Sequence, residues 1–169
     1  MTELILRLNE GNAAVDTNLA RLATTGRKTV LVSTGVDAIG DLVAGDTLFI
    51  LGHGSTSSLG GYSASELAAL LSKAGLKSQI AIELVACNSG TGNAPFALEL
   101  KTQLVSTKVV PSSVSGGTNY MIVGQDGGHK SVVVDFQAKT IADMEDGTQI
   151  VQTPWGPRRR NKPKSYEAT

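Results

Sequence analysis

The sequence predicts an α/β protein with a mostly parallel central sheet flanked by helices and a C-terminal antiparallel β-hairpin flap. Three observations support that class. Short β-branched apolar runs alternate with helix-period segments through the first two thirds of the chain, the pattern of βαβ units. The character then changes to strand-like runs around Gly-rich turns, the pattern of antiparallel pairs. Aromatics are 4% of residues against 41% hydrophobic, so the core must be built mainly from Val, Leu, Ile and Ala.

Each element follows from its own stretch of sequence. "ELILRL" (3–8) alternates and reads as the first strand. In "NAAVDTNLARLATTG" (12–26), Ala14, Val15, Leu19, Leu22 and Ala23 recur at helical spacing and Gly26 stops the run. "KTVLVS" (28–33) is a continuous β-branched strand, and "TGVDAIGDLVAG" (34–45) is a loop before the strand "DTLFILG" (46–52). "YSASELAALLSKAG" (62–75) carries a Ser63-x-x-Glu66 capping box, an apolar face of Leu67, Leu70 and Leu71, and Gly75 as its stop. "QIAIELVA" (79–86) is again a strand, "APFALELKTQLV" (94–105) a helix with Pro95 in its first turn, and "TKVVPSS" (107–113) a short strand. "NYMIVGQDGGHKSVVVDF" (119–136) then predicts two strands around a turn, and "TIADMEDGTQIVQ" (140–152) brings a second "DG" turn.

These readings give one domain over 1–153, its flap at about 118–152, and a basic, disordered tail over 154–169 that is rich in Pro, Arg and Lys. Net charge is zero, yet five of the 15 Lys and Arg lie in "RRRNKPK" (158–164). Residues 1–157 keep 10 basic and 14 acidic side chains, a net of −4. There is no run of 18 apolar residues and no secretory signal, so neither membrane insertion nor a nucleic-acid partner is expected. Oligomeric state is not readable from the sequence. One cysteine excludes an internal disulfide framework.

That cysteine, Cys87, ends one strand-like run, and His53, one of two histidines, ends another. They stand 34 residues apart across one strand–helix–strand crossover. A right-handed crossover makes the two strands parallel and puts both ends on one rim, where open α/β sheets place ligands. A thiol beside an imidazole can act as a thiolate nucleophile, with the imidazole moving the proton. Gly54 leaves a substrate carbonyl unobstructed, and its backbone N–H could join that of Cys87 in an oxyanion hole. Taken singly, Cys87 suits a buried small hydrophobe and His53 a turn. Their pairing at matched strand ends raises both. His129, in "GQDGGHK", reads as a solvated turn residue. Zinc has no third and fourth ligand at suitable spacing. Two rival functions remain on these residues alone: a non-catalytic module that binds a polyanion or a partner protein, and a thiol acyltransferase or hydrolase with a non-peptide substrate.

"LFILGHG" and "ELVACNSG" resemble the His-Gly and Ala-Cys signatures of the caspase-like (clan CD) cysteine peptidases. "LGGYSASELAALLSKAGL" after the "GHG", the opening "LILRLNEGNAAVDTNLARLA" and the later "SVVVDFQAKTIADMEDGTQIVQ" are similar to the self-cleaving cysteine protease domain of large bacterial toxins. The resemblance runs from Glu3 to about Val151. It implies a caspase-like three-layer sandwich and endopeptidase activity through an acyl-enzyme. Cys87 would be the nucleophile and His53 the general acid/base, with Gly54 and Cys87 supplying the oxyanion hole. Asp37 is the nearest candidate to orient the imidazole.

The substrate is then a protein or peptide, including the chain's own termini. Ser113, Val114, Ser115 and Gly116 would line the pocket and favour an uncharged small or aliphatic P1 residue. No cofactor is needed for the chemistry. The resemblance implies inositol hexakisphosphate as an activator, for which Lys130, Lys139, Arg158, Arg159 and Arg160 are the cations at hand, with Lys101 and Lys108 nearby. The first strand begins within three residues of Met1, which suggests an excised toxin module or a free-standing effector. Bacterial origin follows, with delivery lacking a classical signal peptide or, failing that, a cytoplasmic location.

Overall fold

The protein is described by a computed structural model over residues 1–87, 89–90, 95–117, 120–123, 129–134, 149–153, 156–161 and 164–167. Five strands pair in parallel: β1 (Glu3–Arg7), β2 (Lys28–Leu31), β3 (Thr47–Leu51), β4 (Ala81–Val85) and β5 (Ser113–Gly116). Their spatial order is β5-β4-β3-β1-β2. Three helices, α1 (Ala13–Ala23), α2 (Ala64–Lys73) and α3 (Phe96–Ser106), connect them.

Side chains alternate across a strand, so each apolar strand feeds two faces. Leu4, Leu6, Leu48, Ile50, Ile82, Leu84 and Val114 pack on one face against Leu67 and Leu71 of α2 and Leu100 and Leu104 of α3. Ile5, Phe49, Leu51 and Val85 pack on the other against Val15 and Leu22 of α1. That is a three-layer arrangement, helices on both sides of one sheet. Burying each such Leu or Ile contributes about 1.5–3 kcal/mol, so the layers hold without a large aromatic core. The capping box forms as the sequence predicts. Ser63 Oγ accepts from Glu66 N–H, and the Glu66 carboxylate accepts from Ser63 N–H.

The rim opposite the candidate site is fastened by a buried carboxylate. Asp46, 4% exposed, accepts from Thr2 N–H at 2.6 Å and Val43 N–H at 2.9 Å. These two donors, Thr2 first, hold its carboxyl below the usual range.

Several expectations shift. The 34–45 loop contains a short 3₁₀ helix (Val36–Asp41). "TKVVPSS" is not the strand: Val109 and Val110 precede Pro111, which lacks an N–H to pair, and β5 begins only at Ser113. His129 is the first residue of a strand, β7 (His129–Val134), and not a turn residue. It pairs opposite Val123 of β6 (Tyr120–Val123). The tail at 154–169, expected to be disordered, carries two strands: β9 (Gly156–Asn161) and β10 (Lys164–Glu167). β9 lies between β7 and β8 (Gln149–Thr153) in an antiparallel sheet of order β6-β7-β9-β8. β10 pairs antiparallel with the outer edge of β5. Backbone pairing needs no apolar composition, which is why a charge-rich segment misled the sequence reading. Lys139 and the second "DG" turn lie outside the described residues.

Candidate active site

β3 and β4 are neighbours, and their last paired residues are Leu51 and Val85. His53 and Cys87 each stand two residues beyond that pair, on the same rim. His53 is exposed and Cys87 half-buried, with one side of Cys87 packed against the α1-side core. The cysteine forms no disulfide. Gly54 fixes the approach of the two loops. A Cβ added there would lie 2.8 Å from Ala86 Cβ and 3.0 Å from Cys87 N, and closer still to the Cys87 carbonyl oxygen. Position 54 therefore needs glycine because two backbones touch, beyond any space left for a substrate.

The His53 peptide is held from both sides. Its N–H donates to Asn9 Oδ1 at 2.7 Å, and its carbonyl accepts from Gly60 N–H at 2.7 Å. Asn9 follows β1 with φ at 52°, a left-handed conformation that asparagine tolerates. The Cys87 loop is held by Ser89, which is fully buried. Its hydroxyl donates to the Ala86 carbonyl at 3.1 Å and accepts from Gly117 N–H at 3.0 Å. Gly90 N–H donates to the Gly117 carbonyl at 2.7 Å, and Ala97 N–H to the Ser89 carbonyl at 2.8 Å. A Cβ on Gly116 would meet Ser89 Oγ at 2.6 Å, so the end of β5 and the cysteine loop are packed backbone to backbone.

Asn9 and Ser89 were missed by sequence reasoning. The only signals for them were a turn-forming "NEGN" after the first strand and a hydroxyl two residues past the cysteine. Asp37 lies exposed in the first turn of the 3₁₀ helix, whose Gly40 abuts Ala74 and Gly75 beyond α2. The His53 backbone bonds to Asn9 and Gly60 and not to Asp37.

Ser113, Val114, Ser115 and Gly116 form β5, hydrogen-bonded to β4 on one side and β10 on the other. Val114 is fully buried and Gly116 buried, so only the rim end of this strand approaches the cysteine loop. Of the expected cations, Lys130 is in β7 and Arg158, Arg159 and Arg160 are in β9. Among the described residues no group of three His, Cys, Asp or Glu side chains gathers in a metal-binding arrangement.

Comparison with protein families adds one finding to this geometry. The model of the peptidase C80 family matches residues 14–133, a span that includes both His53 and Cys87. The chain belongs to the peptidase C80 family. It is thus a cysteine peptidase, a hydrolase of the toxin-autoprocessing type, and its substrate is protein. Neither the curated proteins nor the solved structures yield a match to this C80 chain. No helix among its described residues is long and apolar enough to cross a membrane.

Proposed function

We propose that this C80 peptidase is a caspase-like endopeptidase of a bacterial toxin or effector, working through Cys87 and His53. The observation that carries the reading is the contact of Gly54 with the Cys87 backbone at the ends of adjacent parallel strands. The Cys87 thiolate attacks the scissile carbonyl carbon, a C–S bond forms, and the carbonyl π pair moves to oxygen. The N–H groups of Gly54 and Cys87 stabilise that oxyanion. Collapse breaks the C–N bond as the His53 imidazolium protonates the departing amine, leaving a thioester. Neutral His53 then takes a proton from water, whose oxygen attacks the thioester carbon. The thiolate departs and the imidazolium is restored.

The rim end of β5 offers Ser115, Gly116 and Gly117 and no charged side chain, which supports an uncharged small or aliphatic P1 residue. A polyanion such as inositol hexakisphosphate is the proposed activator. Lys130 of β7 and Arg158 and Arg160 of β9 stand on neighbouring strands of the second sheet, which supports this reading.

The test is a peptide library and intact-mass measurement on wild type, Cys87→Ala and His53→Ala, with and without the polyanion. Cleavage by wild type alone, after Leu or Ala, supports the reading. Cleavage that survives Cys87→Ala, or cleavage only after Asp or Arg, overturns it.

A further inference from the structure

A pocket of about 320 Å³ opens beside the candidate site, lined in part by Arg7, Asn9, Glu10, Ser33, Gly60 and Tyr62. Its place along the rim is fixed by strand order. From Cys87 at the end of β4, the rim passes His53 at the end of β3 and then reaches the ends of β1 and β2. Two of the pocket's residues, Asn9 and Gly60, are the ones that hold the His53 peptide. The imidazole donates its proton to the departing amine, so the leaving half of a substrate lies on the His53 side of the nucleophile. Adjacent strands are about 4.8 Å apart, and an extended peptide advances about 3.3 Å per residue. The pocket is therefore within one to three residues of the scissile bond on the leaving-group side.

Arg7 and Glu10 carry opposite charges within the lining, and the Ser33 hydrogen bonds, helped by Arg7, hold the Glu10 carboxyl below its usual range. With Asp16, which Arg7 also pairs, the three groups sum to one negative charge. Arg7, whose side chain is 11% exposed, pairs with Asp16. Glu10 is fixed by Ser33, which donates from its N–H at 3.1 Å and its hydroxyl at 2.8 Å to the two carboxylate oxygens. Among the described residues Glu10 joins no salt bridge. Each of its oxygens accepts one bond from Ser33 and retains further acceptor capacity. Val32 and Tyr62 add apolar wall along which the methylenes of a long side chain can lie.

We propose that this pocket is a leaving-group-side subsite that takes a basic side chain of the peptide substrate, with Glu10 as the specificity-determining residue. The proposal rests on Cys87 and His53 being the reacting pair. It extends the specificity expected from the sequence to the opposite side of the scissile bond.

The test uses peptides with one common sequence up to the scissile bond and Lys, Leu or Glu at the first or second position after it. The readout is the ratio of kcat/KM for Lys over Leu, which cancels any general loss of folded or reactive enzyme. Glu10 is exposed, so wild type should favour Lys about two- to fivefold at low salt, the scale of an exposed ion pair, and less at high salt. Glu10→Gln, which keeps the shape and the bond from Ser33 N–H while the Ser33 hydroxyl turns to accept from the amide NH2, should bring the ratio to about one, and Glu10→Lys should turn the preference towards Glu. A wild-type ratio near one, or a Lys preference that survives Glu10→Gln, overturns the subsite while cleavage itself still stands. Failure of wild type to cleave any peptide overturns the Cys87–His53 assignment and the subsite with it.

Discussion

Glycine 54 is required by contact and not by conformation. Its φ is not among the positive values, yet a side chain there would press into the backbone of Cys87 and the methyl of Ala86. Gly54→Ala should move the histidine loop off the cysteine loop and lower kcat/KM by at least about 100-fold, measured by peptide hydrolysis. Gly35→Ala, at an extended position with no neighbour within 4 Å, should leave the rate unchanged. Asn9 acts on the same loop through its acceptor oxygen. Asn9→Gly keeps the left-handed backbone and removes the acceptor; it should lower kcat roughly ten- to hundredfold with little change in KM. Asn9→Asp retains the acceptor and should recover most of the rate. The placement of His53 and Cys87 on one rim was legible in the sequence because each follows an apolar strand. Asn9 was not, because its bond to His53 spans 44 residues of sequence and neither partner advertises it. Ser89 was equally hidden, since a hydroxyl in a loop gives no sign that it will be fully buried.

Strands and helices were legible wherever their apolar period was intact. α2 carried its stop and start signals in full, and its capping box formed. β5 was misplaced because its residues are small and polar, "SVSG", while the more β-like "KVV" lies just upstream. Small residues are needed there so that the strand can press against Ser89 and Gly90. The start of β3 gives a pH prediction. The Asp46 carboxyl sits below its usual range in the folded chain because Thr2 and Val43 N–H groups favour the charged form. A lowered folded value stabilises the fold above the unfolded carboxylate pKa of about 3.9 and loses that contribution as pH falls through the folded value. Asp46→Asn should therefore be less stable than wild type at pH 7, and the gap should narrow below about pH 4. Denaturant midpoints of both proteins at pH 7 and pH 3 check this.

At the scale of the whole molecule, the parallel layer β5-β4-β3-β1-β2 would end in an open strand on the β5 side were it not for β10. An uncovered edge offers unpaired N–H and C=O groups to other chains. A chain ending at residue 163 should melt at a lower temperature and associate as concentration rises, read by thermal unfolding and light scattering. Unchanged melting and a monomer at all concentrations would show that β10 contributes nothing to the layer. The three-layer architecture was legible from composition and alternation, whereas this edge cover was not, because a Lys- and Arg-rich stretch carries no apolar period. Because the histidine and cysteine loops meet main chain to main chain at Gly54, with Asn9 and Ser89 bracing them, the remaining border of the rim is released from that duty. On the proposed Cys87–His53 mechanism, rewriting that border would change what the peptidase cuts while leaving the reacting pair untouched.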